Sequence, residues 1–439
     1  MVFVPIYILI LGFTIVIDYF AGIYLETTDL KRKKIFLIIS LIANIGVLAF
    51  FKYYNFLNDN LTAILYGINY KNPIPYLSIL LPIGLSFHTF QAMSYTIEVY
   101  RGNQKAERHF GIYALYVMFY PQLVAGPIER PQNLLWQFRK KIDFDAEKVS
   151  SGLKLMAWGA FKKMIIADRI APYVSEIYSN PQSHSGFPLL LAACLFSIQI
   201  FCDFSGYSDI AIGAARVMGF NLMKNFDRPY HSRNIHEFWK RWHISLSTWF
   251  KDYLYISLGG NRVSKNRWYF NMIVVFLISG LWHGASWNFV IWGGLHGMYQ
   301  IIGIRTKTVR ARFNEFTGIN KFPILLQIFD ISFNFFIVTI AWIFFRVTSF
   351  TDAIYIVRHL FDFNTWNLES STFKLVDLAI IGFGIIIMEF VHLLQYKESP
   401  IILLSKQKTS IRWVTYFGII LVILFLGKFD NESFIYFQF

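Results

Sequence analysis

The stretch Gly-Leu-Trp-His-Gly-Ala-Ser-Trp-Asn-Phe, Gly280 to Phe289, sets His283 near the middle of the longest run without Asp, Glu, Lys or Arg in this chain, Trp268 to Ile304. An imidazole has an unperturbed pKa of about 6.5 and can take a proton from an attacking hydroxyl near neutral pH. In an apolar medium a titratable side chain costs free energy, which makes it a candidate functional group by default. The competing reading is a hydrogen-bonded structural histidine, and the residues alone leave both open. Gly280 and Gly284 have a structural reading of their own, because G-x-x-x-G lets two helices approach closely.

A second imidazole, His243, lies four residues after Trp239 and three before Leu246, on the apolar side of a helical pattern. Histidines beside interfacial tryptophans are ordinary, so a structural role is the plainer reading there. His236-Glu237 followed by His243 is not a zinc-protease motif, which needs histidines four apart. No other cluster gives metal-ligand spacing, and no metal is expected. Asp203 and Asp209 interrupt an apolar run, so each must face protein, water or a partner charge. They fit either a proton or ion relay in a transporter or, the reading we favour, groups that orient basic and hydroxyl neighbours. Cys194 and Cys202 match no redox or metal pattern and read as buried thiols.

The elements that must position these groups are membrane helices. Of the 439 residues 55% are hydrophobic, 19% aromatic and only 15% charged, and the apolar runs recur without a long polar linker. That excludes an ordinary soluble enzyme and indicates one polytopic integral domain over 1–439. As one helix, the 37 residues from Trp268 to Ile304 would measure about 55 Å, against about 30 Å of hydrocarbon. The run must therefore bend, re-enter or cross twice, with His283 near the bend. The net charge of +14 needs no nucleic-acid partner. Loops 26–34, 101–109, 129–148, 216–267, 305–321 and 397–412 hold 31 of the 41 Lys and Arg residues, which places them in the cytoplasm by the positive-inside rule. The ten basic residues of 216–267 read as headgroup anchors more readily than as a phosphate site. Both termini then face out.

In chain order the pattern predicts a hairpin of Val2–Tyr24 and Ile35–Phe51, a third span over Asn72–Ile97, and a broken or re-entrant segment over Phe110–Ile128. Beyond it come an outward return near Leu153–Ile166 and a descent through Phe187–Phe220. Residues 233–255 read as one amphipathic helix in the cytoplasmic interface. Spans over Phe322–Phe345, Leu378–Leu394 and Trp413–Gly427 follow, about ten in all, with a short outward tail from Phe434 to Phe439.

Taken together, Phe119 to Ile128, Asp203 to Asp209, Glu237 to Trp249, Tyr253 to Arg262 and Gly280 to Phe289 closely resemble the bacterial membrane-bound O-acyltransferase family over about residues 80–300. The nearest branch resembles the membrane subunits that O-acetylate alginate. The resemblance implies an all-α bundle around a central tunnel, His283 as the catalytic histidine, and His243 lining the same tunnel. Trp282, Asn288, Asp203, Asp209 and Trp239 are carried along as tunnel-lining or orienting residues. It implies acetyl-CoA as acyl donor, an extracytoplasmic SGNH-hydrolase-like or polymer-binding partner, and a place in the bacterial inner membrane. The tail resembles the C-terminal tyrosine hexapeptide of teichoic acid D-alanylation partners, which makes Tyr436 a candidate acyl relay. Its other reading is an interfacial aromatic anchor. The implied reaction is O-acetylation of an exported polysaccharide or peptidoglycan. Alternatives are a carrier-fed D-alanyl transferase and, in a different class, a glycan or lipid transporter.

Overall fold

A computed structural model describes residues 7–78, 82, 84–362, 374–429 and 434–435. Every regular element among them is helical. They fall into two units, Met1–Val149 with Ala215–Met223, and Ser150–Ala214 with Lys224–Phe439. Among the described residues six helices are long and apolar enough to cross a bilayer, where about ten spans are expected from the sequence.

In the first unit α1 (Tyr7–Thr27) and α2 (Leu30–Tyr66) form the expected hairpin, with the Asp29 side chain accepting from Arg32 N at 2.9 Å to cap α2. α2 is 37 residues long, continuing well past the expected end at Phe51. Asp18, fully buried in α1, accepts from Ser40 Oγ at 2.6 Å and Asn44 Nδ2 at 2.8 Å. This satisfies a carboxylate that lipid could not. The third span is shorter than expected: α3 covers only Leu85–Tyr100. It starts at Gly84, whose φ of 80° favours glycine and whose added Cβ would meet Leu123 O at 2.7 Å. α4 (Phe110–Val117) stops where the sequence suggests a break, and the chain then turns through Phe119–Gly126 before the short α5 (Pro131–Leu134).

The second unit holds the residues singled out for chemistry. α6 (Ala146–Phe161) leads into a π-helical turn, Lys162–Ala167, and then α7 (Asp168–Ser179). α6 crosses α8 (Phe187–Val217) at contact distance, since a Cβ on Gly159 would meet Gly206 O at 2.5 Å and one on Gly213 would meet Gly152 O at 2.6 Å.

The region 233–255 is not one interfacial helix. It breaks into α9 (Ile235–Arg241), an extended Trp242, a left-handed His243 with φ of 43°, α10 (Ile244–Trp249) and a π-helical turn, Phe250–Tyr255. The cause is backbone pairing with the irregular segment before it: Asp227 N donates to Arg241 O at 2.9 Å and Ile244 N donates to Asn225 O at 2.8 Å, which takes backbone groups a continuous helix would use internally.

The long uncharged run crosses back on itself, as its length requires. α11 (Lys265–His283) and α12 (Trp287–Arg305) are each 19 residues, joined by Gly284-Ala285-Ser286. They touch through glycines, because a Cβ on Gly280 would meet Phe289 O at 2.2 Å and one on Gly293 would meet Phe276 O at 2.2 Å. After the exposed α13 (Lys307–Phe316) come α14 (Pro323–Arg346), α15 (Phe350–His359), α16 (Leu375–Leu394), α17 (Pro400–Ser405) and α18 (Thr409–Leu426). α14, α16 and α18 match the last three expected spans.

Candidate active site

His283 is the last residue of α11, at the bend of the hairpin. It is placed there by two neighbouring constraints. Gly284 has no room for a side chain against the Phe289 ring, and Ser286 caps α12 by accepting from Asn288 N at 3.2 Å. The His283 ring is 6% exposed and enclosed by aromatic edges, with Trp282 at 4.8 Å, Trp292 at 5.0 Å and Phe345 at 5.3 Å between centroids. Such rings exclude water without competing for the imidazole nitrogens.

His243 reaches the same cluster from the other side of Trp282, whose ring centroid is 6.4 Å from it. One indole therefore neighbours both imidazoles. The geometry fixes the His243 tautomer. Asn225 Oδ1 accepts from Ser245 N at 3.3 Å and Ser245 Oγ at 2.9 Å, so at 3.1 Å from His243 Nδ1 it must also be the acceptor. The proton thus sits on Nδ1 and the basic lone pair on Nε2. Asn225 is itself oriented by donating Nδ2 to Ser208 Oγ at 3.1 Å. Replacing Asn225 with Leu leaves two or more buried donors without an acceptor and is expected to cost about 1–3 kcal/mol. Asn225→Asp keeps the acceptor and should recover most of the loss. Thermal midpoints in detergent check this, and a Leu variant as stable as wild type would remove Asn225 from the account.

The sequence reading missed a third histidine. His296 on α12 is fully buried, accepts from Trp239 Nε1 through Nδ1 at 3.3 Å, and packs on Trp292 at 4.9 Å. Trp239 thereby holds the His296 ring through its indole N–H. His296 sits in the same uncharged run as His283, thirteen residues on, and its Gly-Leu-His-Gly setting gave no spacing signal. Behind these rings Trp242, Trp292 and Trp342 are fully buried, with Trp292 and Trp342 stacked at 5.6 Å. Asn288 donates Nδ2 to Val347 O at 2.8 Å and so ties the start of α12 to the residue following α14.

The model of the membrane-bound O-acyltransferase family matches residues 107–350, which include every histidine just described. This chain belongs to that family. It is 36% identical over 402 residues to a probable alginate O-acetylase of Pseudomonas aeruginosa, covering 90% of this chain and 74% of that protein. It is 36% identical over 385 residues to a peptidoglycan O-acetyltransferase of Helicobacter pylori, covering 82% and 71%. A teichoic acid D-alanyltransferase of Streptococcus thermophilus is 29% identical over 257 residues, 55% of this chain and 62% of that one.

In this O-acyltransferase the two carboxylates of the Asp203–Asp209 motif are both spoken for. Lys162 Nζ lies 2.8 Å from Asp209 Oδ2 and 2.8 Å from Ser205 Oγ, while Lys163 Nζ lies 2.8 Å from both Asp203 and Asp168. The wide π turn lets consecutive lysines both reach acidic partners. Asp203 also holds the C-terminal segment: its Oδ2 accepts from Ile435 N at 2.8 Å. Phe434 packs on Tyr207 at 4.8 Å and on Phe204 at 5.9 Å, and Phe204 stands edge-on to His243 at 4.7 Å. Phe434 and Ile435 are buried, which does not fit an interfacial anchor at those two positions. Tyr436 lies outside the described residues.

Proposed function

We propose that this acyltransferase takes an acetyl group from cytoplasmic acetyl-CoA and passes it across the bacterial inner membrane for O-acetylation of an extracytoplasmic polysaccharide or peptidoglycan. The whole chain is read as one catalytic domain with both termini outside and a passage that meets His283 midway. The observation that carries the reading is the pairing of His283 and His243 on Trp282 inside a water-excluding aromatic shell. His283 takes the proton of an attacking hydroxyl, whose oxygen bonds to the thioester carbonyl. As the carbon–sulfur bond breaks, the imidazolium returns its proton to the thiolate, so the products are an ester and free CoA. His243 Nε2 assists as a second acceptor lone pair.

Tyr436 is the first acceptor in this proposal. It directly follows Ile435, whose amide is anchored on Asp203 beside the ring that packs on His243. Its aryl ester keeps much of the transfer potential of a thioester, so a serine of an SGNH-hydrolase-like partner outside can complete transfer to the polymer. The D-alanyl reading has support from the teichoic acid relative and would need a carrier protein as donor.

Purified protein incubated with acetyl-CoA alone and examined by mass spectrometry is expected to carry one acetyl group on its C-terminal peptide at Tyr436. The His283→Ala protein should carry none. Active wild-type protein, competent for polymer acetylation once the partner is added back, that shows no Tyr436 ester would overturn the relay.

A further inference from the structure

His231, Glu389 and His392 are far apart in the chain and meet in the fold. His231 is the last residue of the Pro229–His231 turn, while Glu389 and His392 stand three apart on the last turns of α16 and so share a face. His231 Nε2 is 2.6 Å from Glu389 Oε2, and His392 Nδ1 is 3.2 Å from Glu389 Oε1. One nitrogen from each imidazole and one carboxylate oxygen all lie within 4.8 Å of one another. Two neutral imidazoles and one carboxylate form the donor set that suits zinc and related divalent transition ions, with further positions left for water.

We propose that this cluster binds a divalent transition metal of the zinc class. The expectation of no metal, drawn from spacing alone, did not reach these residues, since His231 and Glu389 are 158 positions apart. Three features fit the ion. Tyr396 Oη lies 3.2 Å from His231 Nδ1, so when Nε2 takes the metal the ring proton moves to Nδ1 and is held by the phenol oxygen. His392 is buried while the Glu389 side chain is 41% exposed, which gives a rigid ligand on one side and an entry path on the other. The neighbouring cation Arg228 is paired with Asp227 at 3.1 Å and stacked over the Tyr396 ring, which moderates its repulsion of an ion.

Bound there, the metal clamps the end of α16 to the segment whose other end carries Asn225, the acceptor that fixes His243. This role is independent of the acyl donor and of the relay.

The test uses the full chain in detergent with a histidine-free tag, stripped by chelator and then exposed to zinc. Mass spectrometric metal analysis after desalting is expected to give one zinc per chain in wild type and none in Glu389→Gln or His392→Gln. Tyr396→Phe should keep the site with roughly 10–100-fold weaker zinc affinity. Cobalt(II) added to stripped wild type should give a visible spectrum distinct from the ion in buffer, a readout that stands even where a variant does not fold. No retained zinc, retention equal in wild type and both ligand variants, or a cobalt spectrum unchanged from buffer each overturns the proposal.

Discussion

Replacing His283 with Ala is expected to reduce acetyl transfer at least about 100-fold, the low end of what a positioned acid–base group contributes. The amount of protein in the membrane should stay unchanged. The ring sits at the end of α11 and touches Trp282, Trp292 and Phe345 by its edges, so truncation opens a small cavity without breaking the glycine crossing that holds α11 on α12. His283→Gln, which keeps more of the volume, should be equally inactive if proton transfer is the lost function. Polymer O-acetyl content in cells and thiol release from acetyl-CoA in detergent measure the two ends of the reaction. Normal acetylation in the Ala variant would sink the mechanism and return His283 to the structural reading. A transporter predicts the reverse pattern, with flux surviving loss of His283 and failing with Asp203 or Asp209.

Lys163→Met is expected to destabilise the protein by about 3–5 kcal/mol, the usual effect of removing one partner from a buried charge cluster. Lys163 bridges Asp203 and Asp168, whose side chains are only 4% and 7% exposed, so the variant removes the cation held between two buried carboxylates. A drop of several degrees in the thermal midpoint in detergent is the expected readout. Lys163→Arg should keep most of the stability. A Met variant with an unchanged midpoint would argue that the carboxylates are not there to be neutralised.

The placement of His283 was legible in the sequence where a physical oddity marked it. A histidine in an uncharged run too long for one crossing pointed to a bend, and the hairpin of α11 and α12 has that bend at His283–Ser286. The final spans were legible because uninterrupted apolar helices need no partner to be recognised. The break at Trp242–His243 was not, since helical spacing of Trp239, Trp242, Leu246 and Trp249 persists across it. Only the pairing of Asn225–Asp227 with Arg241–Ile244 reveals why the helix stops. The expected start of the third span failed for a similar reason, because the requirement at Gly84 comes from Leu123, a residue outside the local window.

By itself the sequence determined a polytopic, all-helical membrane chain, its membership of a family by ordered motifs, and the bend that carries His283. Hydrophobic length, charge asymmetry and local residue types are properties of the chain before it folds. Tertiary structure alone decided which groups meet: His296 on Trp239, Asn225 on His243, each lysine of the π turn on its carboxylate, Ile435 on Asp203, and the His231–Glu389–His392 cluster. These pairings join residues from about twenty to more than two hundred positions apart. Side-chain hydrogen bonds and ion pairs act over a few ångströms of space, and no local pattern encodes which distant segments are brought that close.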